Sequence, residues 1–237
     1  MGTLRRALIL APMNSELRPI VRYARARESG ADDLALYRGR AGDVEVAVVQ
    51  LGVGPASARS VTERALRHFS ADHVLVSGIA GGMHPRLAIG TVVVPEEIMD
   101  VASGRRYQAS PMEGVELRGI VATTDHLMVD PGRLADLQDL GVLAVDMESS
   151  GVAGACETAG VPWTTFRVVS DRPDEGLADE AVMALLRPDG TADVAAALRL
   201  MVRHPSRIPG LVRLARDSSM AASKSARAAL GALGWRP

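Results

Sequence analysis

Three acidic residues, Glu16, Glu148 and Asp171, stand just beyond apolar, strand-like runs in a chain of 237 residues. Glu16 follows Ala7-Leu8-Ile9-Leu10-Ala11. Glu148 lies in Val145-Asp146-Met147-Glu148-Ser149-Ser150, and Asp171 closes Phe166-Arg167-Val168-Val169-Ser170-Asp171. A further apolar run, Val74-Leu75-Val76, leads to Gly78-Ile79-Ala80-Gly81-Gly82. That segment reads as a glycine turn able to hold a small molecule against bare backbone. Ligands of open α/β sheets bind outside the carboxyl ends of the strands. Four strand ends therefore bring chemistry to one place: Met13 with Glu16, the glycine segment, Met147 with Glu148, and Ser170 with Asp171.

Carboxyl groups so placed suit cleavage of a nucleoside C–N bond. Its transition state resembles an oxocarbenium ion, with positive charge on the sugar and negative charge growing on the departing base. One acid protonates the base, one carboxylate holds the sugar hydroxyls beside the cation, and one orients and deprotonates water. Asp171, Glu148 and Glu16 fit those tasks in that order, and none calls for a metal or an organic cofactor. Singly, each acid reads equally well as a helix cap or first-turn acid. Their joint placement on successive strand ends favours chemistry.

The elements required to position them are legible as alternating strands and helices. Strands are expected over residues 7–11, 44–51, 74–76, 90–95, 119–123, 144–145 and 163–169. Helices are expected from Asn14 or Ser15 through Arg22, and over 56–69, 131–140 and 149–159. Residues 100–120 read as a loop or lid, with Tyr107 either lining a pocket or exposed. The pattern predicts one α/β domain with a mixed, mainly parallel central sheet flanked by helices. The domain is expected over residues 1–198, and a helical tail over 199–237.

Composition narrows the function. A net charge of −1 argues against a chain built for nucleic acid. Cys156 is the only cysteine, which excludes an intrachain disulfide and a thiolate metal site. The 7–11 run is too short for a signal core or a membrane span, so a cytoplasmic protein is expected. Charge is unevenly placed: Arg199, Arg203, Arg207, Arg213, Arg216, Lys224, Arg227 and Arg236 face a single acid, Asp217, after residue 198. On a helical wheel Arg213, Arg216, Lys224 and Arg227 fall within about 80°. Leu211, Ala215, Ala222, Ala226, Ala229 and Leu233 lie opposite. Such a helix either covers the protein's own core or makes weak contact with an anionic membrane surface.

With these motifs in order, the chain resembles the nucleoside phosphorylase and nucleosidase superfamily, most closely its methylthioadenosine/S-adenosylhomocysteine nucleosidase branch. Ala11-Pro12-Met13-Asn14-Ser15-Glu16 and Leu51-Gly52-Val53-Gly54-Pro55-Ala56 are similar to that family's first- and second-strand motifs. Val145–Glu148 and Val169–Asp171 are similar to its ribose- and purine-contacting segments. The resemblance implies a nucleoside phosphorylase-like fold and a homodimer. It implies a site of Glu16 and Asp171 as catalytic groups, with Met13, Ile79, Ala80, Gly81, Leu127, Met128, Met147, Glu148 and Ser170 around the substrate. Phosphorylases of the superfamily carry one arginine after the first strand and another on the glycine-segment strand. Pro12–Glu16 and Val74–Gly82 contain none, which favours water over phosphate as nucleophile.

Two departures bear on the substrate. Ile79 replaces a small hydroxyl residue, and Leu127, beside His126 and Met128, replaces the aromatic that stacks on adenine. The stretch Arg203–Leu214 also resembles the C-terminal extension of the adenosylhopane nucleosidase branch of hopanoid biosynthesis. A lipid-linked nucleoside and a phosphate-dependent phosphorylase stand as the alternatives.

Overall fold

Apolar alternation decides the sheet. The computed structural model describes residues 4–30, 34–84, 86–128, 130–172 and 203–236. Strand β1 (Arg6–Ala11) is almost wholly buried and pairs in parallel with β4 (Val44–Gln50) and β5 (His73–Gly82). Because successive side chains point to opposite faces, Leu8 and Leu10 join one core cluster while Ala7, Ile9 and Ala11 join another.

The sheet extends through β2 (Arg27–Glu28) and β3 (Leu36–Ala41) on the β4 side. On the other side, β5 is followed by β10 (Val142–Asp146), β9 (Ile120–Thr123), β7 (Glu97–Asp100) and β8 (Arg106–Gln108). Strand β11 (Trp163–Asp171) pairs in parallel with β5 and carries the short β6 (Val92–Val93) on its far side. Parallel pairs hold the centre, and antiparallel pairs form both margins and the β10–β5 junction. The result is a mixed α/β sheet flanked by helices.

Helices α2 (Pro55–His68) and α4 (Ser149–Ala159) cover one face. They approach so closely that a Cβ on Gly151 would sit 2.0 Å from the Pro55 carbonyl oxygen. The other face carries α1 (Asn14–Tyr23) and a long helix, α5 (Ile208–Ala232), entered through a 3-10 turn, Pro205–Arg207. Helix α3 (Pro131–Asp139) begins at an Asp130 cap and packs Leu137 beside Met83 and Met99.

Helix α5 divides into two halves. Ala226, Ala229 and the following Leu233 pack among Ile9, Leu17 and Phe166, and Ala222 is buried. Trp235 then ties the end to α1, donating to the Tyr23 carbonyl at 3.1 Å. Arg213, Arg216, Lys224 and Arg227 are exposed, as the wheel anticipates. The boundary expected at residue 198 lies outside the described residues. Among the described residues, no helix is long and apolar enough to cross a membrane.

Several local expectations need correction. Gly78–Gly82 is not a turn but the last half of β5. The region 100–120 is not wholly loop, since Arg106–Gln108 pairs with β7. Tyr107 is not an exposed aromatic but is buried in the core beside Gly154. Helix α1 starts at Asn14 with Met13 as its N-cap, so neither Asn14 nor Ser15 serves as the cap.

Candidate active site

The carboxyl ends of the parallel strands β1, β5 and β11 meet the carboxyl end of β10, which runs the opposite way, around the last residues of β5. Glu16, in the first turn of α1, is buried. One of its oxygens accepts the Met13 amide at 2.8 Å, which closes the first turn of its own helix. The other accepts the Ile79 amide on β5, also at 2.8 Å. Glu16 is therefore a cap and a site carboxylate at once. Burial pushes its pKa up to about 7 against the opposing pull of Arg167 and the two amides.

Glu148 occupies the N-cap position of α4, yet its side chain makes no cap hydrogen bond there. It turns inward instead. Its Oε2 meets an Arg167 Nη at 3.3 Å and its Oε1 accepts the Gly54 amide at 3.4 Å. That amide points inward because Gly54 adopts φ 96°, a left-handed conformation that glycine takes without strain. Burial raises the Glu148 pKa, and Arg167 offsets part of the rise.

Asp171 is presented by a bulge. Val169 pairs with Ala80 and Asp171 with Gly81, so Ser170 is an extra residue in β11. A bulge re-aims the side chain that follows it. Asp171 Oδ2 lies 3.8 Å from where a Gly81 Cβ would sit, and Oδ1 accepts the Ser170 hydroxyl at 2.5 Å. Val145 lies across Gly81 on the opposite side, and Met147 and Glu148 follow it.

The residue that sequence reasoning overlooked is Arg167. It is fully buried in mid-β11, with its Nε on Asp146 Oδ2 at 2.8 Å and an Nη on the same oxygen at 2.7 Å. It also donates to the Ile79 carbonyl at 3.3 Å. Burial disfavours its charge, but Asp146, Glu148 and Glu16 together hold its pKa above the ordinary value. A signal was present: a charged residue inside the apolar run Trp163–Val169 must be paired when that run is buried.

Gly78 explains the bare backbone. A Cβ there would come within 2.3 Å of an Arg167 Nη and 2.5 Å of Glu16 Oε1. Gly78→Ala is thus expected to displace both groups, costing about 1–3 kcal/mol of stability and most of any activity. Thermal melts and turnover of the variant check this, and a wild-type melt would contradict it.

The remaining expected residues are placed unequally. Met13 flanks Glu16 by its backbone, and Ser170 is buried beside Asp171. Ala80 directs its side chain to the core with Val76, so only its backbone serves the site. Ile79 is half-buried and Met147 likewise. Leu127 is half-buried and Met128 buried in the turn after β9, tied to β10 by the Thr124 amide on the Asp146 carbonyl. His126 is exposed and bonded to Asp125 at 2.5 Å. No group of three or more metal-ligating side chains occurs among the described residues.

Comparison with known proteins now bears on this arrangement. The phosphorylase superfamily family model matches residues 6–116 and 112–204. The chain belongs to the phosphorylase superfamily. Among curated relatives, a 5′-methylthioadenosine/S-adenosylhomocysteine nucleosidase of Geobacillus kaustophilus is 29% identical over 201 residues, spanning 70% of this chain and 84% of the relative. A nucleosidase of the same description from Exiguobacterium is 30% identical over 169 residues, spanning 59% and 72%. The solved S-adenosylhomocysteine nucleosidase of Streptococcus pyogenes, in complex with 5-methylthiotubericidin, superposes with a TM-score of 0.73 at 23% identity. It covers 98% of this chain and 97% of its own, which establishes the fold.

Arg167 bonds both Asp146 and Glu148. Glu16 meets this group through Ile79, whose amide donates to Glu16 and whose carbonyl accepts from Arg167, and Asp171 stands farther along, opposite Gly81 of β5.

Proposed function

We propose that this protein hydrolyses the N-glycosidic bond of an adenine nucleoside of the methylthioadenosine or S-adenosylhomocysteine type, releasing the free base. The observation that carries the reading is the line of groups along the end of β5: Glu16 on the Ile79 amide, Arg167 against Gly78, and Asp171 opposite Gly81. Gly78 to Gly81 is three strand residues, on the order of 10 Å. That span lets one carboxylate serve the sugar end of a nucleoside and the other the base.

In this reading Glu148 holds the ribose hydroxyls, with Met147 packed beneath. Ile79, the backbone of Ala80 and Gly81, Leu127 and Met128 surround sugar and base by aliphatic contact. Glu16 takes a proton from water as the oxygen bonds to the anomeric carbon. The C–N electron pair leaves with the base, and Asp171 delivers a proton to N7. No step involves a metal or an organic cofactor. The relatives named as nucleosidases support this assignment over a lipid-linked substrate.

The arrangement also supports water over phosphate. Arg167, the buried cation of the described site, already faces Asp146 and Glu148. A phosphate dianion at that place would meet carboxylates and lack a free cationic partner, a costly burial. The test is the fate of the sugar. In water enriched in oxygen-18, the released methylthioribose should carry one labelled oxygen at its anomeric carbon. Formation of 5-methylthioribose 1-phosphate from added phosphate would overturn the reading.

The pH dependence follows from Glu16. As the water activator it works deprotonated, and burial sets its pKa at about 7. The value of kcat/KM should therefore fall tenfold per pH unit well below 7 and level off above it. A flat profile from pH 5 to 8 would count against Glu16 in this role.

Assembly and location extend the reading. We take the chain as a cytoplasmic homodimer, to be checked by light scattering and cell fractionation. The first half of α5 favours a weak membrane-surface contact besides. Ile208 and Val212 are exposed there, the latter 60%, among Arg203, Arg207, Arg213 and Arg216. Co-sedimentation with phosphatidylglycerol vesicles, lost in 0.5 M salt (about a 4 Å screening length), tests that contact; no co-sedimentation at low salt removes it.

A further inference from the structure

We infer that Asp146 is a positioning residue of the proposed nucleosidase site, acting through Arg167 to station both Glu148 and Glu16. The inference rests on the nucleosidase reading and goes beyond it, since Asp146 approaches the site only through other side chains.

Asp146 is buried at the end of β10, and its carboxylate is saturated with donors. Oδ1 accepts the Thr123 hydroxyl at 2.7 Å, the Ser149 amide at 3.2 Å and the Glu148 amide at 3.3 Å. Oδ2 accepts the Ser149 hydroxyl together with the Nε and an Nη of Arg167. Three of these donors belong to the β10–α4 turn that carries Glu148. The turn and the arginine are therefore fastened to one carboxylate.

That fastening fixes the plane of the guanidinium. With Nε and one Nη held on Asp146, the same Nη reaches Glu148 Oε2 and the other Nη lies against Gly78 beside Glu16. A planar fork held on one edge has little freedom on the other. Arg167 alone would be free to collapse onto either glutamate. Held by Asp146, it stands between them.

The pairing also sets how readily the two glutamates take up protons. Asp146 carries negative charge next to both, and this opposes their ionisation, while Arg167 favours it. Removing the Asp146 charge with its shape retained therefore lowers both affinities for protons. A purely structural residue would produce no such shift.

The experiment compares wild type, D146N and D146E on methylthioadenosine, with kcat/KM measured from pH 5 to 9. D146N is expected to lose about 10- to 100-fold in kcat/KM, the range for partners that orient a site group from behind. Its acidic limb should move to lower pH. D146E restores the charge and should bring the limb back towards wild type, with partial recovery of rate. If D146N does not fold, S149A carries the test. It removes a hydroxyl that touches both Asp146 and Arg167, and a several-fold loss in kcat/KM is expected.

Unchanged kcat/KM in D146N, or in S149A where that variant stands in, would overturn the inference. So would equal losses in D146N and D146E with an unmoved limb. A wild-type protein inactive on nucleosides would instead overturn the reading on which the inference rests.

Discussion

Asp171→Asn is expected to lower turnover of methylthioadenosine by about 10²- to 10⁴-fold, the contribution of a positioned general acid, with little change in KM or melting temperature. Asp171 sits after the Ser170 bulge, opposite Gly81, and its Oδ1 accepts the Ser170 hydroxyl. An asparagine fits the same space and keeps that acceptor, but it has no proton to give to a leaving purine. The defect should depend on the leaving group. A riboside with nitrophenolate as leaving group needs no protonation, and D171N should cleave it within about tenfold of the wild-type rate. Equal losses on both substrates would point to a binding or folding role. Wild-type turnover of methylthioadenosine by the variant would remove Asp171 as the acid.

Arg167→Leu carries the largest expected effect on stability. Arg167 has no exposed surface, and Asp146 is 1% exposed and Glu148 7% exposed at their side chains. Taking away the cation leaves both carboxylates, with Glu16 near them, buried without compensation. Removal of one partner from a buried pair typically costs about 3–5 kcal/mol. For a domain of this size that corresponds to a fall in melting temperature on the order of 10 °C. Burial already raises the pKa of Glu16 and Glu148, and loss of Arg167 raises both further. Their protonated forms are then the ones the folded state favours. The defect should be worst at high pH and shrink as pH falls towards 5, because protonation removes the uncompensated charge. Urea unfolding at pH 5 and pH 8 reads this directly. A loss below about 1 kcal/mol at pH 8 would mean that the carboxylates find other partners or water.

Much of this was legible in sequence, and the exceptions share physical causes. Strands β1, β4 and β11 are largely buried on both faces, so they read as mainly apolar runs, and Ser170-Asp171 at the end of one is conspicuous. Helices α2 and α4 show their apolar spacing plainly. Strand β3 was not read, because Leu36-Tyr37-Arg38-Gly39-Arg40-Ala41 lies towards the margin of the sheet and turns Arg38 and Arg40 outward. Strand β7 escaped for a similar reason. Its Glu97 and Asp100 serve side-chain partners, Arg106 and Ser150, and hide a four-residue strand.

The glycine segment was read by residue type alone. Gly78 and Gly82 sit in a strand because Arg167, Glu16 and Val169 occupy the space their side chains would fill. Glycine here marks close approach and not a turn. Arg167 and Asp146 were visible as residues but not as a pair. Twenty-one positions separate them, and only the alignment of β10 and β11 on either side of β5 brings them together. The three proposed catalytic and ribose-binding acids were found because each lies at a strand end, where function is expected. The groups that hold them lie within strands, where charge is not.

The most direct test of the account is adenine release from methylthioadenosine by the purified protein in phosphate-free buffer, followed continuously and repeated with inorganic phosphate. The account predicts release at the same rate in both. Release that requires phosphate, or none at all from methylthioadenosine or S-adenosylhomocysteine, would contradict it.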